Sequence, residues 1–161
     1  MAATTPPHLS VLLVCMGNIC RSPTAEAILR AQLRARGWQD AVHVDSAGTH
    51  AYHVGEAPDA RASEAAAAAG YVLEGLRARQ VCADDFARFD WILAADGQNL
   101  AELRRRCPAP QQGKLRLMRD WVGGGDVPDP YYGGRQGFVE MVSMLETALA
   151  AALDAWRPVQ A

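Results

Sequence analysis

Lysine is almost missing from this chain. Lys114 is the only one, so positive charge is carried by arginine. With 16 basic against 18 acidic residues the formal net charge is −2, which excludes the basic excess expected of a nucleic-acid or anionic-membrane binder. The short run Arg104–Arg106 reads as a solvated helix face. No stretch approaches the roughly 20 apolar residues of a membrane span. The opening M-A-A-T-T-P-P-H has no positive n-region, and the apolar run after it is too short for a signal h-region. A cytoplasmic location is the expectation, with export by a route that needs no signal left open. The four cysteines, Cys15, Cys20, Cys82 and Cys107, form no C-x-x-C pairs, which argues against a zinc ribbon. In a reducing compartment a reactive thiol can persist instead. Internal repeats are also lacking.

What is there suits one globular unit: 161 residues, half of them hydrophobic and about a fifth charged. Residues 1–8 read as a flexible segment and 9–157 as a single domain. Apolar runs of strand length occur at 11–14, 42–44, 91–95 and 115–118. The first and third are nearly continuous in hydrophobicity, as strands buried on both faces are. Helical patterns lie between them. Ser22 and Pro23 supply an N-cap and an N1 proline for a helix that Gly37 stops. Further helices are expected over 59–69, over 99–107 and, most clearly, along Phe138, Met141, Val142, Leu145, Leu149, Ala152 and Trp156. Strands alternating with helices give an α/β fold with a parallel sheet covered on both faces, and such sheets bind ligands beyond the carboxyl ends of their strands.

Cys15 stands at that edge, and the residues after it are C-M-G-N-I-C-R-S-P. The spacing from Cys15 to Arg21 means little alone, because Cys82 and Arg88 repeat it. Around Cys82, however, no glycine and no apolar strand precede the helix, and Asp84 and Asp85 would repel an anion. That segment reads as an ordinary helix start. After Cys15, Gly17 and Asn18 can adopt positive φ and turn successive N–H groups inward. Such a nest, facing the N-terminus of the next helix, binds an anion and favours a thiolate. Arg21 can fork two hydrogen bonds onto phosphate oxygens. The Ser22 hydroxyl could cap the helix, assist a departing thiolate, or both.

Thiolate attack at phosphorus also needs an acid for the leaving oxygen. The glycine- and proline-rich tract 123–134 offers Asp129 between Pro128 and Pro130, with Asp126 as the less constrained competitor. Tyr131 and Tyr132 follow, suited to lining a slot for an aromatic ring.

Taken together, these residues resemble the low-molecular-weight protein tyrosine phosphatases over most of the chain. The likeness rests on V-C-M-G-N-I-C-R-S-P-T-A-E, D-S-A-G-T at 45–49, A-R-Q-V at 78–81 and D-P-Y-Y-G at 129–133. It implies a four-stranded parallel twisted sheet with helices on both faces. It also implies Cys15 as nucleophile, Arg21 as phosphate ligand and Asp129 as general acid, with Met16, Gly17, Asn18, Ile19, Cys20 and Ser22 forming the phosphate loop. Asn18, Ser22 and Ser46 would support that loop, Tyr52, Tyr131 and Tyr132 would wall the pocket, and Cys20 would be a redox partner of Cys15. Leu76 stands where members often carry a histidine that supports the loop, and A-D-G-Q-N replaces a common M-D-x-S-N segment.

The expected reaction is hydrolysis of phosphotyrosine and aryl phosphates through a phosphocysteine, without metal or cofactor because the loop itself supplies the positive field. The expected partner is a phosphotyrosine-containing protein, and the expected state a monomer. Three other readings use the same loop; one of them, a binding-only phosphate module, is opposed by the presence of Cys15, Arg21 and Asp129 together. A thiol-dependent arsenate reductase would need a second pair of close cysteines, and Cys82 has no such companion, Phe89 standing where one might be. A phosphocarrier would keep its phosphocysteine, which Arg21 and Asp129 oppose.

Overall fold

A computed structural model describes residues 9–156; the segment 1–8, read above as flexible, lies outside the described residues, as does the end of the chain. Four strands, β1 (Leu9–Cys15), β2 (Val42–Gly48), β3 (Trp91–Ala94) and β4 (Leu115–Leu117), form one sheet in the order β2-β1-β3-β4, and each adjacent pair is parallel. The two most continuous apolar runs became the central strands, as burial on both faces requires. Along β1 the side chains alternate between layers. Val11, Leu13 and Cys15 join the core beneath α1 (Arg21–Arg36) and α5 (Arg135–Trp156), while Leu12 and Val14 join Phe86, Leu100 and Leu103 from α3 (Ala83–Arg88) and α4 (Gly97–Arg106). Helix α2 (Ala60–Ala68) packs against α5.

The helix after β1 begins two residues earlier than its sequence suggests. Cys20 occupies the N-cap position without a side-chain cap bond, so Ser22 and Pro23 lie inside the first turn and the Ser22 hydroxyl is free for another partner. Gly37 ends the helix in the left-handed conformation at φ 75°, as expected. The decoy segment is a six-residue helix: Asp85 accepts a hydrogen bond from the Cys82 N–H at 2.8 Å and pairs with Arg79. Lys114 donates to the Phe86 and Ala87 carbonyls at the end of that helix. Among the described residues, no helix is long and apolar enough to cross a membrane.

Strand β2 does more than flank β1. The Cys15 and Met16 carbonyls accept bonds from the Thr49 and His50 N–H groups at 2.9 and 3.0 Å, so the turn after β1 rests on the continuation of β2. A Cβ at Gly48 would stand 2.6 Å from the Met16 carbonyl oxygen, a clash with backbone that only glycine avoids. The D-S-A-G-T motif therefore holds a ledge beneath the loop.

Candidate active site

The loop from Cys15 to Ser22 sits at the carboxyl end of β1 and runs into α1. The one non-glycine residue with positive φ among the described residues is Asn18, at 59°. Gly17 does not share that conformation, contrary to the sequence expectation. Its missing side chain serves space instead, since a Cβ there would lie 2.8 Å from His53 Cδ2.

Buried Cys15 has its sulfur 3.4 Å from the Ser22 N–H nitrogen, which donates to it, and 3.0 Å from Ser22 Oγ. The surrounding bonds set what that hydroxyl can offer the sulfur. Asn18 Nδ2 donates to Ser22 Oγ at 2.7 Å and to Ser46 Oγ at 3.0 Å. Ser46 in turn donates to Glu26 Oε1 at 2.7 Å. The Asn18 carbonyl oxygen takes the Arg79 N–H at 3.0 Å, which fixes the amide orientation. With its oxygen accepting from Asn18, Ser22 has its own proton available within reach of the Cys15 sulfur at 3.0 Å and the Ala47 carbonyl at 3.4 Å, and a thiolate at Cys15 can only accept it. Leu76, where the resemblance above implied a supporting histidine, packs against the core instead. Arg79 is itself held between Asp45 and Asp85 at 3.0–3.2 Å, which gives the A-R-Q motif its role.

Arg21 is only 2 % exposed. Its Nη1 donates to Asp96 Oδ2 at 2.6 Å and to the Val127 carbonyl at 2.9 Å, while Nη2 faces Asp129 Oδ2 at 3.6 Å. Burial works against the guanidinium charge, but Cys15, Asp96 and Asp129 outweigh it and hold the proton more firmly than usual. Nη1 is committed, so the Nε–Nη2 edge is the one available to fork onto an oxyanion.

Above this floor lies a cavity of about 230 Å³. Cys15, Met16, Gly17, Ile19, Cys20 and Arg21 form its base, and Tyr52, His53, Asp129, Tyr131 and Tyr132 its walls. Asn18, Ser22 and Ser46 lie beneath the lining. The volume falls below the roughly 300–1,000 Å³ of small-molecule sites and suits one inserted side chain. Among the described residues, no group of three or more His, Cys, Asp or Glu is placed to hold a metal ion. Asp129 accepts the Tyr131 N–H at 3.0 Å through Oδ1, leaving Oδ2 toward Arg21. Its competitor Asp126 instead accepts the Gly97 N–H at 2.9 Å and is not part of the lining. All four cysteines are free thiols, and burial, reinforced by Asp59, Cys15 and Asp129, raises the Cys20 thiol far above its ordinary value.

Three participants carry no sequence expectation of a role. Asp96 caps α4 through the Asn99 N–H while bonding Arg21, and its place just beyond β3 could have marked it. Glu26 lies four residues after Ser22 and so shares its helix face. His53 follows Tyr52 closely enough to share its wall.

Known proteins of one family are similar to this chain over most of its length. The family model described as low molecular weight phosphotyrosine protein phosphatase matches residues 10–158. A low molecular weight protein-tyrosine-phosphatase of Streptomyces coelicolor is 46% identical over 153 residues, covering 91% of this chain and 93% of the relative. The low molecular weight protein-tyrosine phosphatase A of Mycobacterium tuberculosis is 41% identical over 151 residues, covering 91% and 90%. Among solved structures, a protein tyrosine phosphatase from Entamoeba histolytica with Hepes in the active site superposes with a TM-score of 0.89 at 37% identity, covering 92% of this chain and 97% of that one.

Proposed function

Because the chain belongs to the low molecular weight protein tyrosine phosphatase family and is a hydrolase of phosphotyrosine, we propose that Cys15 is its nucleophile, Arg21 its phosphoryl ligand and Asp129 its general acid. In the first step the Cys15 thiolate attacks phosphorus while Arg21 and the loop N–H groups bind the equatorial oxygens. Protonated Asp129 gives its proton to the departing tyrosine oxygen. In the second step Asp129, now a carboxylate, takes a proton from water as that water attacks the phosphocysteine and releases phosphate. Ser22 stabilises the sulfur as it leaves, the role its hydrogen-bond polarity suits. Tyr52, Tyr131 and Tyr132 would flank the aromatic ring of the substrate, a phosphotyrosine-bearing protein.

The observation that carries this reading is the gathering of the Cys15 sulfur, the free edge of Arg21 and the Asp129 carboxylate around one cavity of side-chain size. Cys15→Ser is expected to abolish p-nitrophenyl phosphate hydrolysis, and substantial activity in that variant would sink the assignment. Cys20, also in the lining, is the proposed partner in a reversible disulfide with Cys15 after peroxide treatment. Because burial keeps Cys20 protonated, that closure should be slow at neutral pH and quicken as pH rises.

A further inference from the structure

We propose that Arg61 is a positioning residue that ties the acid loop to the phosphate loop and so sets where Asp129 delivers its proton. The proposal rests on the roles given above to Cys15 and Asp129. The tract 123–134 is anchored unevenly. Its first half is fastened to the sheet: fully buried Val127 donates its N–H to the Ala95 carbonyl at 2.8 Å, its own carbonyl takes Arg21, and Asp126 caps Gly97. Residues 128–134, which include the acid, are held by packing of buried Pro130 and of Tyr131 and by the 3.6 Å approach of Arg21 to Asp129, but by few hydrogen bonds. Asp129 bonds the Tyr131 N–H and Gly133 the Pro130 carbonyl, both within the segment, and the Gly137 bond to Gly134 leads into α5. Among the described residues, the hydrogen bond that ties this half to another part of the fold runs from Arg61 Nη1 to the Tyr131 carbonyl, at 2.9 Å.

The same guanidinium lies over the Tyr131 ring, 5.2 Å from its centroid, and over Phe138 of α5 at 4.7 Å. Asp59 aims it, accepting from Nε at 3.1 Å, from Nη2 at 2.9 Å and from the Arg61 N–H at 2.8 Å. Hydrogen bonding to Arg61 holds the Asp59 carboxyl below its usual range, so Asp59 stays ionised. Asp59 in turn donates its own N–H to the Ile19 carbonyl of the phosphate loop at 2.8 Å. A continuous path therefore runs from Ile19 through Asp59, Arg61 and Tyr131 to Asp129. An exposed ion pair alone contributes little. Here the planar fork also holds a carbonyl and two ring faces, which lysine could not do together. Without it, the Tyr131 turn would keep its packing but lose its hydrogen bond to the rest of the fold, and Asp129 would spend less time in line with the leaving oxygen.

The test uses the full chain and kcat/KM for phenyl, p-nitrophenyl and 2,4-dinitrophenyl phosphate, in the wild type, Arg61→Met, Asp129→Asn and the double variant. Arg61→Met should lose about tenfold with phenyl phosphate, a part of the roughly 10²–10⁴ that a general acid supplies. With 2,4-dinitrophenyl phosphate, whose leaving group needs no proton, the loss should stay under about twofold. Adding Arg61→Met to Asp129→Asn should cost nothing further. Equal losses across the three esters, or losses that add in the double variant, would overturn the proposal, because a purely structural role predicts both. If Asp129→Asn itself shows no dependence on the leaving group, the acid assignment fails first, visibly and separately, and takes this proposal with it. Arg61→Gln keeps a planar donor and covers the case in which the methionine variant does not fold. It should show the same steepening at smaller amplitude, and a uniform loss there is equally fatal.

Discussion

Asn18 is the residue on which the site's hydrogen bonds converge. One amide reaches Ser22 in α1, Ser46 in β2 and the Arg79 N–H, while its backbone takes the left-handed conformation. Two contributions can be separated by substitution. Asn18→Ala loses the amide and also strains the backbone, by about 1–2 kcal/mol for a side chain with a Cβ in that region. Asn18→Gly loses only the amide. Urea denaturation should find the glycine variant the more stable of the two by about 1 kcal/mol. Both should lose at least about tenfold in kcat, since the Ser22 proton is no longer directed at sulfur. Activity restored in Asn18→Gly would mean that the turn, not the amide, is what matters. At this scale the sequence was legible where chemistry is local. Cys15, Arg21 and Asp129, which the structure brings to one cavity, sit in compact motifs that stand out from their surroundings. Glu26 and Arg61 left no comparable mark, because a glutamate or arginine on a helix is ordinary until its partner from a distant segment is known.

Elements were readable to the extent that their periodicity is strong. The central strands and α5 carry continuous or helical apolar patterns, so their existence and type followed directly. The start of α1 did not, because Ser22 and Pro23 mimic a cap while the buried sulfur claims the serine. Helix α3, the decoy, turns out to matter indirectly: its Asp85 holds Arg79, whose N–H orients Asn18. Burial alone would raise the Asp85 carboxyl, yet bonds from Arg79 and Cys82 outweigh it and hold it below the ordinary value. A carboxyl depressed in the fold contributes its full stability above the unfolded pKa of about 4 and loses it as pH falls through the folded value. Asp85→Asn should therefore cost about 1.5–3 kcal/mol at neutral pH. By about pH 3 that difference should be shrinking, as protonation removes the wild type's advantage. A penalty measured by urea denaturation that is the same at both pH values would contradict this account.

In the whole molecule, the two cores meet across a sheet only four strands wide, and the Cys15–Ser22 loop is an extension of its middle. Leu13 shows how tightly stability and site are joined: fully buried in β1, it pairs in register with Ser46 on one side and Leu93 on the other. Leu13→Ala should cost about 2–5 kcal/mol, a large share of the roughly 5–15 kcal/mol that stabilises a typical domain. A shift in the denaturation midpoint worth under about 1 kcal/mol would show that the layer collapses around the gap. The walls of the pocket obey a different rule. Tyr52 and Tyr132 are 69% and 94% exposed, and surface positions of that kind usually change stability by no more than about 0.5 kcal/mol when substituted. A floor built into the sheet and a rim that is nearly free of it give evolution two separate dials. Substitutions can accumulate at the rim at little cost to the fold, while changes to the floor draw directly on the stability of the sheet.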